Sequence, residues 1–168
     1  GEIQSNAEAM SDIANLSSDA IEEFRDVLHE FNTDAVETSK AASTIEGSTF
    51  ITLAKIDHII FKSNAFSAIF HGHTTSTFAD HHDCRLGKWY ETGIGKSHFA
   101  HLPSYSKMDT PHAKVHNAVH ANLEFIKEGD HVTENKEAII RNFTTMEEAS
   151  EELFTHMNNL LAESIQRS

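Results

Sequence analysis

The chain has 168 residues, with two prolines, seven glycines and a formal net charge of −13 at neutral pH. This length suits one domain with a real hydrophobic core, and so few helix-breaking residues favour an all-α fold. The acidic charge argues against a nucleic-acid partner and against direct membrane contact, since both need a basic surface. The single cysteine excludes an internal disulfide and favours a reducing, cytoplasmic setting.

The first predicted helix carries apolar or small residues at alternating steps of three and four, which is a heptad repeat. The positions are Ala7, Met10, Ala14, Ser17, Ile21, Phe24, Leu28, Phe31, Ala35, Thr38, Ala42 and Ile45. A helix of about 45 residues exceeds the height of a small bundle, so residues 1–46 are predicted to project as a coiled coil. The seam predicts a homodimer through this helix. Because the sequence begins inside the pattern without a cap, we expect a fragment of a longer chain.

A second helix is predicted from about Thr49 to Phe70, after Gly47, and Gly72 ends it. Its apolar side consists of Leu53, Ile56, Ile60 and Ala65. Glycines and a proline interrupt residues 72–108, which leave room only for a short helix near Leu86 to Glu91. This irregular segment is a candidate functional loop or lid.

Two further helices are predicted. The third has Thr110 as its N-cap and Pro111 at its first position, and Gly129 follows its end. The last runs from about Thr133 to Ile165, with an apolar stripe of Ile139, Phe143, Met146, Leu153, Met157 and Leu160. The prediction is an all-α four-helix bundle, one domain over residues 47–168, with a projecting N-terminal helix and a short extra helix at the cysteine.

Three histidines and the cysteine suggest a metal site. His112 and His116 are four apart and leave one helix face, which also carries Val119 and Leu123 and therefore faces the bundle interior. His58 is predicted on the inner side of another helix, and Cys84 enters from the irregular segment. Three imidazoles and one thiolate form a tetrahedral ligand set that suits Zn2+.

Simpler interpretations compete with this site. In a chain with 13 histidines a pair spaced by four can arise by chance. His58 alone could be a hydrogen-bonded core histidine, and Cys84 a small buried apolar residue. We expect the other histidines, including His81 and His82, to lie mostly in solvated loops or on helix faces. We expect Trp89 to pack in the core or in the irregular segment that could form a lid.

The segments CRLGKWY at 84–90 and PHAKVH at 111–116, with DHIIFK at 57–62 upstream, resemble the CZB family, the chemoreceptor zinc-binding domains of bacteria. The resemblance covers roughly residues 49–128. Its pattern of one histidine, then C-x-L-G-x-W-Y, then H-x-x-x-H corresponds to His58, Cys84, His112 and His116. Phe61 is a mild variation where a tryptophan or another aromatic residue is expected.

The resemblance implies a four-helix bundle that pairs as a homodimer, and a cytoplasmic zinc site attached to a chemotaxis receptor or sometimes to a diguanylate cyclase. It also implies sensing of zinc, or of hypochlorous acid through the zinc-bound Cys84. Here the chain is expected to be the C-terminal cytoplasmic part of a methyl-accepting receptor, whether soluble or membrane-anchored. Asp57, Arg85 and Trp89 neighbour the ligands and are candidates for supporting them, with a solvated face as the alternative for Arg85.

Three functions remain open at this point. The first is a sensor in which zinc occupancy or cysteine oxidation changes coiled-coil output. The second is a structural zinc site that only stabilises the bundle or the dimer. The third is a zinc hydrolase, which the sequence disfavours because four protein ligands leave no open position and no HExxH or nucleophile-elbow motif is present. The chain is therefore predicted not to be an enzyme.

Overall fold

The computed structural model describes residues 1–127 and 131–167, apart from the side chains of residues 2, 3, 7–9 and 167. Those ranges contain helices and no strands, so the all-α prediction is confirmed. The helices are α1 (Glu2–His71), α2 (Arg85–Glu91), α3 (Ile94–Phe99), α4 (Asp109–Leu123) and α5 (Lys136–Arg167), with a 3-10 helix at Glu124–Ile126. None of these described helices has both the length and the apolar character that a membrane span needs.

The chain divides into two compact units, Gly1–Ser43 and Thr44–Ser168. The predicted division between residues 46 and 47 stays a prediction. In the first unit the large apolar side chains of the heptad seam are between 49% and 71% exposed; they are Met10, Ile21, Phe24, Leu28 and Phe31. The side chain of Ala7, the first seam position, lies outside the described side chains. A single chain therefore leaves this apolar seam in solvent.

The predicted break at Gly47 is wrong, because α1 continues without interruption from Glu2 to His71. Gly47 is buried, and a Cβ atom there would lie 3.0 Å from Cζ of Phe99. The glycine allows close packing of Phe99 instead of ending the helix. The predicted end at Gly72 is confirmed, since Gly72 has a φ of 69° and its amide donates to the Ile69 carbonyl.

Within Thr44–Ser168, α1 lies antiparallel to α5, as the pairs Lys62 with Glu147 and Phe66 with Phe143 indicate. The predicted apolar stripe of α1 is wrong for three of its four members: Leu53, Ile56 and Ile60 are 42% to 52% exposed, and only Ala65 is buried. The buried positions of α1 in this unit are Gly47, Ile51, Ala54, His58, Ala65, Ala68 and Ile69. Glycine or alanine at four of these positions lets the neighbouring helices pack closely, whereas Leu53, Ile56 and Ile60 face outward.

The helices α4 and α5 form the other half of the core. The stripe of α5 is confirmed, because Met146, Leu153, Met157 and Leu160 are fully buried and Ile139 nearly so, while Phe143 is partly buried. The amide of buried Asn122 on α4 donates to the Ile139 carbonyl at 3.2 Å. That hydrogen bond satisfies a polar group in the core.

The start of α4 differs from the prediction. The helix begins at Asp109, with Met108 as its N-cap, so Thr110 lies inside the first turn and Pro111 follows it. Pro111 still fits, since amides of the first turn have no partner within a helix. Gly129, the predicted end signal, lies outside the described residues.

The irregular segment contains the predicted short helix as α2, and α3 in addition, which the sequence prediction missed. Gly93 and Gly95 had indicated an interruption. A Cβ atom on Gly95 would lie 2.4 Å from the ring of Trp89, so this glycine lets α3 pack directly against the tryptophan of α2.

Candidate metal centre

Three elements of the second unit bring the four predicted ligands together. The helix α1 supplies His58, α4 supplies His112 and His116, and Cys84 is the N-cap residue of α2. The three histidines are at most 3% exposed, and Cys84 is half-buried. One donor atom from each residue lies within 4.8 Å of every other. The structure thus forms one compact cluster of three imidazoles and a thiol.

Backbone hydrogen bonds fix the orientation of two imidazoles. Nδ1 of His58 donates to the Ala54 carbonyl at 2.7 Å, and Nδ1 of His116 donates to the Ala79 carbonyl at 2.9 Å. The proton then lies on Nδ1, so each Nε2 carries a free lone pair. Both Nε2 atoms are buried and have no hydrogen-bond partner in the described part of the chain. An unsatisfied buried polar atom costs about 1–3 kcal/mol, and a bound metal ion would remove that cost.

The imidazoles are kept neutral, which is the form that binds metals. Burial lowers the pKa of His112 to about 2 and the pKa of His116 to about 4, and burial also lowers the pKa of His58. The ring centroids of the three histidines lie 4.9 to 5.5 Å apart in edge-on arrangements. Protonating any of them would place a charge among buried neighbours.

The thiol lies where the irregular segment turns into α2. Sγ of Cys84 accepts the Gly87 amide at 3.3 Å and lies 3.2 Å from Nε2 of His112. Burial raises the pKa of the Cys84 thiol, and the amides of Gly87 and Leu86 oppose that shift. Without a nearby cation the thiol therefore stays protonated at neutral pH, whereas a metal ion would favour the thiolate.

The close packing around residue 87 explains why the fourth residue of the CRLG segment is a glycine. A Cβ atom there would lie 2.0 Å from the carbonyl oxygen of His81 and 2.6 Å from that of His82. These contacts are with backbone, which cannot move aside cheaply. Glycine thus allows the turn before Cys84 to pack against the first turn of α2 and brings the sulfur to the histidines.

The donor set fits zinc. Three imidazole nitrogens and one thiolate match the donors and the number of ligands of a tetrahedral Zn2+ site. Histidines that bind metals commonly donate their other ring nitrogen to a backbone carbonyl, as His58 and His116 do. The four residues would hold the ion from three different elements, and so would tie α1, α2 and α4 together.

The three candidate supporting residues have different surroundings. Nε of Arg85 pairs with Oδ2 of Asp57 at 3.1 Å, which links the residue after Cys84 to the residue before His58. Trp89 stacks on Phe50, with ring centroids 4.6 Å apart, in the core cluster against which Cys84 packs. Their support of a metal site stays a prediction, and so does the identity of the four ligands.

Two neighbours of the cluster were missed from the sequence. The ring of Phe61 lies 4.4 Å from the ring of His116, and the ring of His81 lies 5.8 Å from that of His112. As expected, His81 lies in a loop, but its side chain is only partly exposed. Its position three residues before Cys84 was the available signal, because a tight turn brings such residues to one side.

Residues 58–123 match the family model described as the chemoreceptor zinc-binding domain. No curated protein and no solved structure was found to match the chain. The matched range contains all four residues of the histidine and cysteine cluster. Over residues 58–123 the chain is therefore similar to the chemoreceptor zinc-binding (CZB) domain.

Proposed function

We propose that this domain is a zinc-binding regulatory module of a cytoplasmic chemoreceptor region, and that Cys84 makes it sensitive to oxidants, to zinc or to both. The carrying observation is the buried cluster in which Nε2 of His58 and Nε2 of His116 have no partner among the described residues. The role is regulatory and not catalytic, since four protein donors complete a tetrahedral shell and leave no position for a substrate.

Bound zinc would keep Cys84 as the thiolate at neutral pH, because metal binding displaces the thiol proton. The sulfur then donates an electron pair to hypochlorous acid: thiolate and HOCl give sulfenic acid and chloride, and the sulfur is oxidised by two electrons. Two equivalents of a small thiol reverse the step, giving back the cysteine with one disulfide and one water. The reaction is therefore a reversible switch.

Oxidation at Cys84 acts on the least regular part of the unit. The sulfur caps α2 through the Gly87 amide, so a sulfenic acid there changes both a metal donor and a helix cap. His58 lies on α1, whose upstream residues carry the heptad seam. A change in the position of α2 relative to His58 can therefore bias the packing of a signalling coiled coil.

The proposal includes a homodimer formed through α1 and the bundle. The seam of residues 10–31 is exposed in the single chain, and so are Leu53, Ile56, Ile59 and Ile60 on the outer face of α1. Contiguous exposed apolar side chains mark surfaces that bind another protein. A second copy of the chain satisfies the heptad pattern with the same seam.

A structural zinc site is the alternative function. The same ligands would then hold α1, α2 and α4 together, and the metal would neither exchange nor expose Cys84 to oxidants. The partial exposure of Cys84 favours the sensor, since the other three ligands are buried.

The test is intact-protein mass spectrometry of the zinc-loaded chain after graded doses of hypochlorous acid. The sensor predicts that about one equivalent of oxidant modifies Cys84 first, and that a small thiol reverses the modification. Cys84→Ser is the matched control and should lose this first modification. If methionines are oxidised before Cys84, the structural role replaces the sensor.

A further inference from the structure

A fifth histidine lies beside the cluster. His81 is in the turn from Asp80 to Cys84, which is held by the Asp80 carboxylate: its Oδ1 accepts the amides of His82 at 2.8 Å and of Asp83 at 2.9 Å. The Cys84 amide donates to the Asp80 carbonyl at 3.2 Å. This turn places His81 and Cys84 on the same side.

The imidazole of His81 borders the cluster on the side of His112 and His116. Its ring centroid lies 5.8 Å from that of His112 and 6.4 Å from that of His116. The longest separation among the rings of the three ligand histidines is 5.5 Å, so the distance from His81 to His112 is only slightly longer. Neither ring nitrogen of His81 makes a hydrogen bond within the described residues, and both are available to a metal.

Three of the other donors near the turn have existing partners. Oδ1 of Asp80 accepts two backbone amides, Asp57 pairs with Arg85, and the His82 ring pairs with Glu91. Recruiting any of these groups to a metal would break a hydrogen bond or ion pair. Recruiting His81 breaks neither.

We propose that His81 is a reserve metal ligand that takes the fourth position when Cys84 cannot occupy it. Oxidation of Cys84 weakens the sulfur as a donor, and a rotation of the His81 side chain in the same turn then supplies an imidazole in its place. Four imidazoles are an acceptable donor set for zinc. The oxidised domain would therefore keep its metal, and reduction would restore the original shell. This inference rests on the proposed zinc site and goes beyond it in assigning a fifth ligand.

The test measures zinc affinity by competition with a chromophoric chelator, in the full chain. Cys84→Ala is compared with the double variant Cys84→Ala/His81→Ala, and Cys84→Ala/His82→Ala is the matched control, because His82 lies in the same turn with its ring on Glu91. Mutating a group that only hydrogen-bonds to a metal-binding histidine costs about 10- to 100-fold in metal affinity. Removing His81, a direct ligand in this proposal, should therefore weaken zinc binding by Cys84→Ala by about tenfold or more. The control should match Cys84→Ala within about threefold.

Cobalt substitution gives a second readout. Cys84→Ala loaded with Co2+ should keep the intense visible absorption of a four-coordinate tetrahedral ion, and the double variant should lose most of it. Circular dichroism establishes that each variant is folded before it is compared. If His81→Ala changes the affinity and spectrum of Cys84→Ala by less than the His82→Ala control does, water fills the fourth position and the proposal is overturned.

An experiment on the unsubstituted cysteine covers the case in which Cys84→Ala does not fold. The zinc-loaded wild type and the zinc-loaded His81→Ala variant are each oxidised with one equivalent of hypochlorous acid. The chelator then measures how fast each protein releases zinc. The reserve ligand predicts at least about tenfold faster release from His81→Ala; equal release rates would contradict it. Failure of the starting protein to bind zinc would refute the zinc site itself, which is a different outcome.

Discussion

The two sides of the candidate metal centre are built differently. The imidazole side lies on the long helices α1 and α4, where all three rings are buried and two are fixed by backbone carbonyls. The thiol side lies at the start of α2, a helix of seven residues that follows a stretch of turns, and its sulfur is half-buried. The comparison suggests that the histidines fix where the metal binds, while Cys84 and its turn determine how the site responds.

The largest expected effect comes from removing a ligand of the imidazole side. His116→Ala should lower zinc affinity by at least about 100-fold, because it deletes a donor whose orientation is already fixed. Losing only the group that orients a ligand costs about 10- to 100-fold in metal affinity. Cys84→Ala should lower it less, since its side of the site can adjust. Chelator competition measures both. His98→Ala, on an exposed position of α3, is the control and should match the wild type. An equal or larger loss for Cys84→Ala would contradict the division into a fixed and an adjustable side.

The second prediction concerns the close contact at Gly87. Gly87→Ala places a methyl group about where the His81 carbonyl oxygen lies, so the turn must move away from α2. Overpacking of this kind costs about 1–3 kcal/mol, which denaturant unfolding would measure. Gly47→Ala is the control and should lose less stability than Gly87→Ala. Its new methyl group meets only the end of the Phe99 ring, and alanine is about 1 kcal/mol more favourable than glycine within a helix. Equal unfolding free energies for Gly87→Ala and the wild type would contradict this prediction, because the turn could then move away from α2 without loss of stability.

The third prediction is a pH dependence of the metal-free domain. The pKa values of His58, His112 and His116 are lowered by burial, so the unfolded chain binds more protons than the folded chain below pH 6.5. Stability should therefore be complete above about pH 6.5 and should fall as the pH drops toward 4, the pKa of His116. Melting temperatures of the chelated protein at pH 8, 7, 6 and 5 measure this. A His58→Phe variant should show a shallower decline, and a flat profile in the wild type would refute neutral burial.

The smallest effect is expected at the ion pair between Asp57 and Arg85. Both side chains are substantially exposed, and such pairs contribute about 0–1 kcal/mol. Arg85→Gln should therefore change unfolding free energy by less than about 1 kcal/mol, as should Glu137→Gln, which breaks a surface pair with Arg141 on α5. A larger loss for Arg85→Gln alone, measured in the zinc-loaded chain, would show that the pair holds Cys84 in place.

The sequence was most informative where one local pattern decides the outcome. The spacing of His112 and His116 on α4 predicts a shared face, and Gly72 ends α1 through its positive φ. Patterns failed where two explanations share one signal. Gly47 could end a helix or admit Phe99, and only the packing distinguishes these.

The apolar side of α1 shows a second limit. Leu53, Ile56 and Ile60 have the spacing of a core stripe, yet the buried face holds Ile51, Ala54 and His58 instead. A helix with apolar residues on two faces does not reveal which face is inside its own chain, because a partner can cover the other. The position of His81 depended likewise on a turn held by a side chain, which periodicity does not describe.

The central claim is that His58, His112, His116 and Cys84 together hold one zinc ion. X-ray absorption at the zinc edge, on the full chain reloaded with zinc and freed of excess metal, tests it most directly. The expected result is one zinc per chain with three nitrogen neighbours and one sulfur neighbour at about 2.3 Å, and loss of the sulfur contribution in Cys84→Ala. A chain that retains no zinc, or a zinc spectrum without sulfur in the wild type, would contradict the assignment.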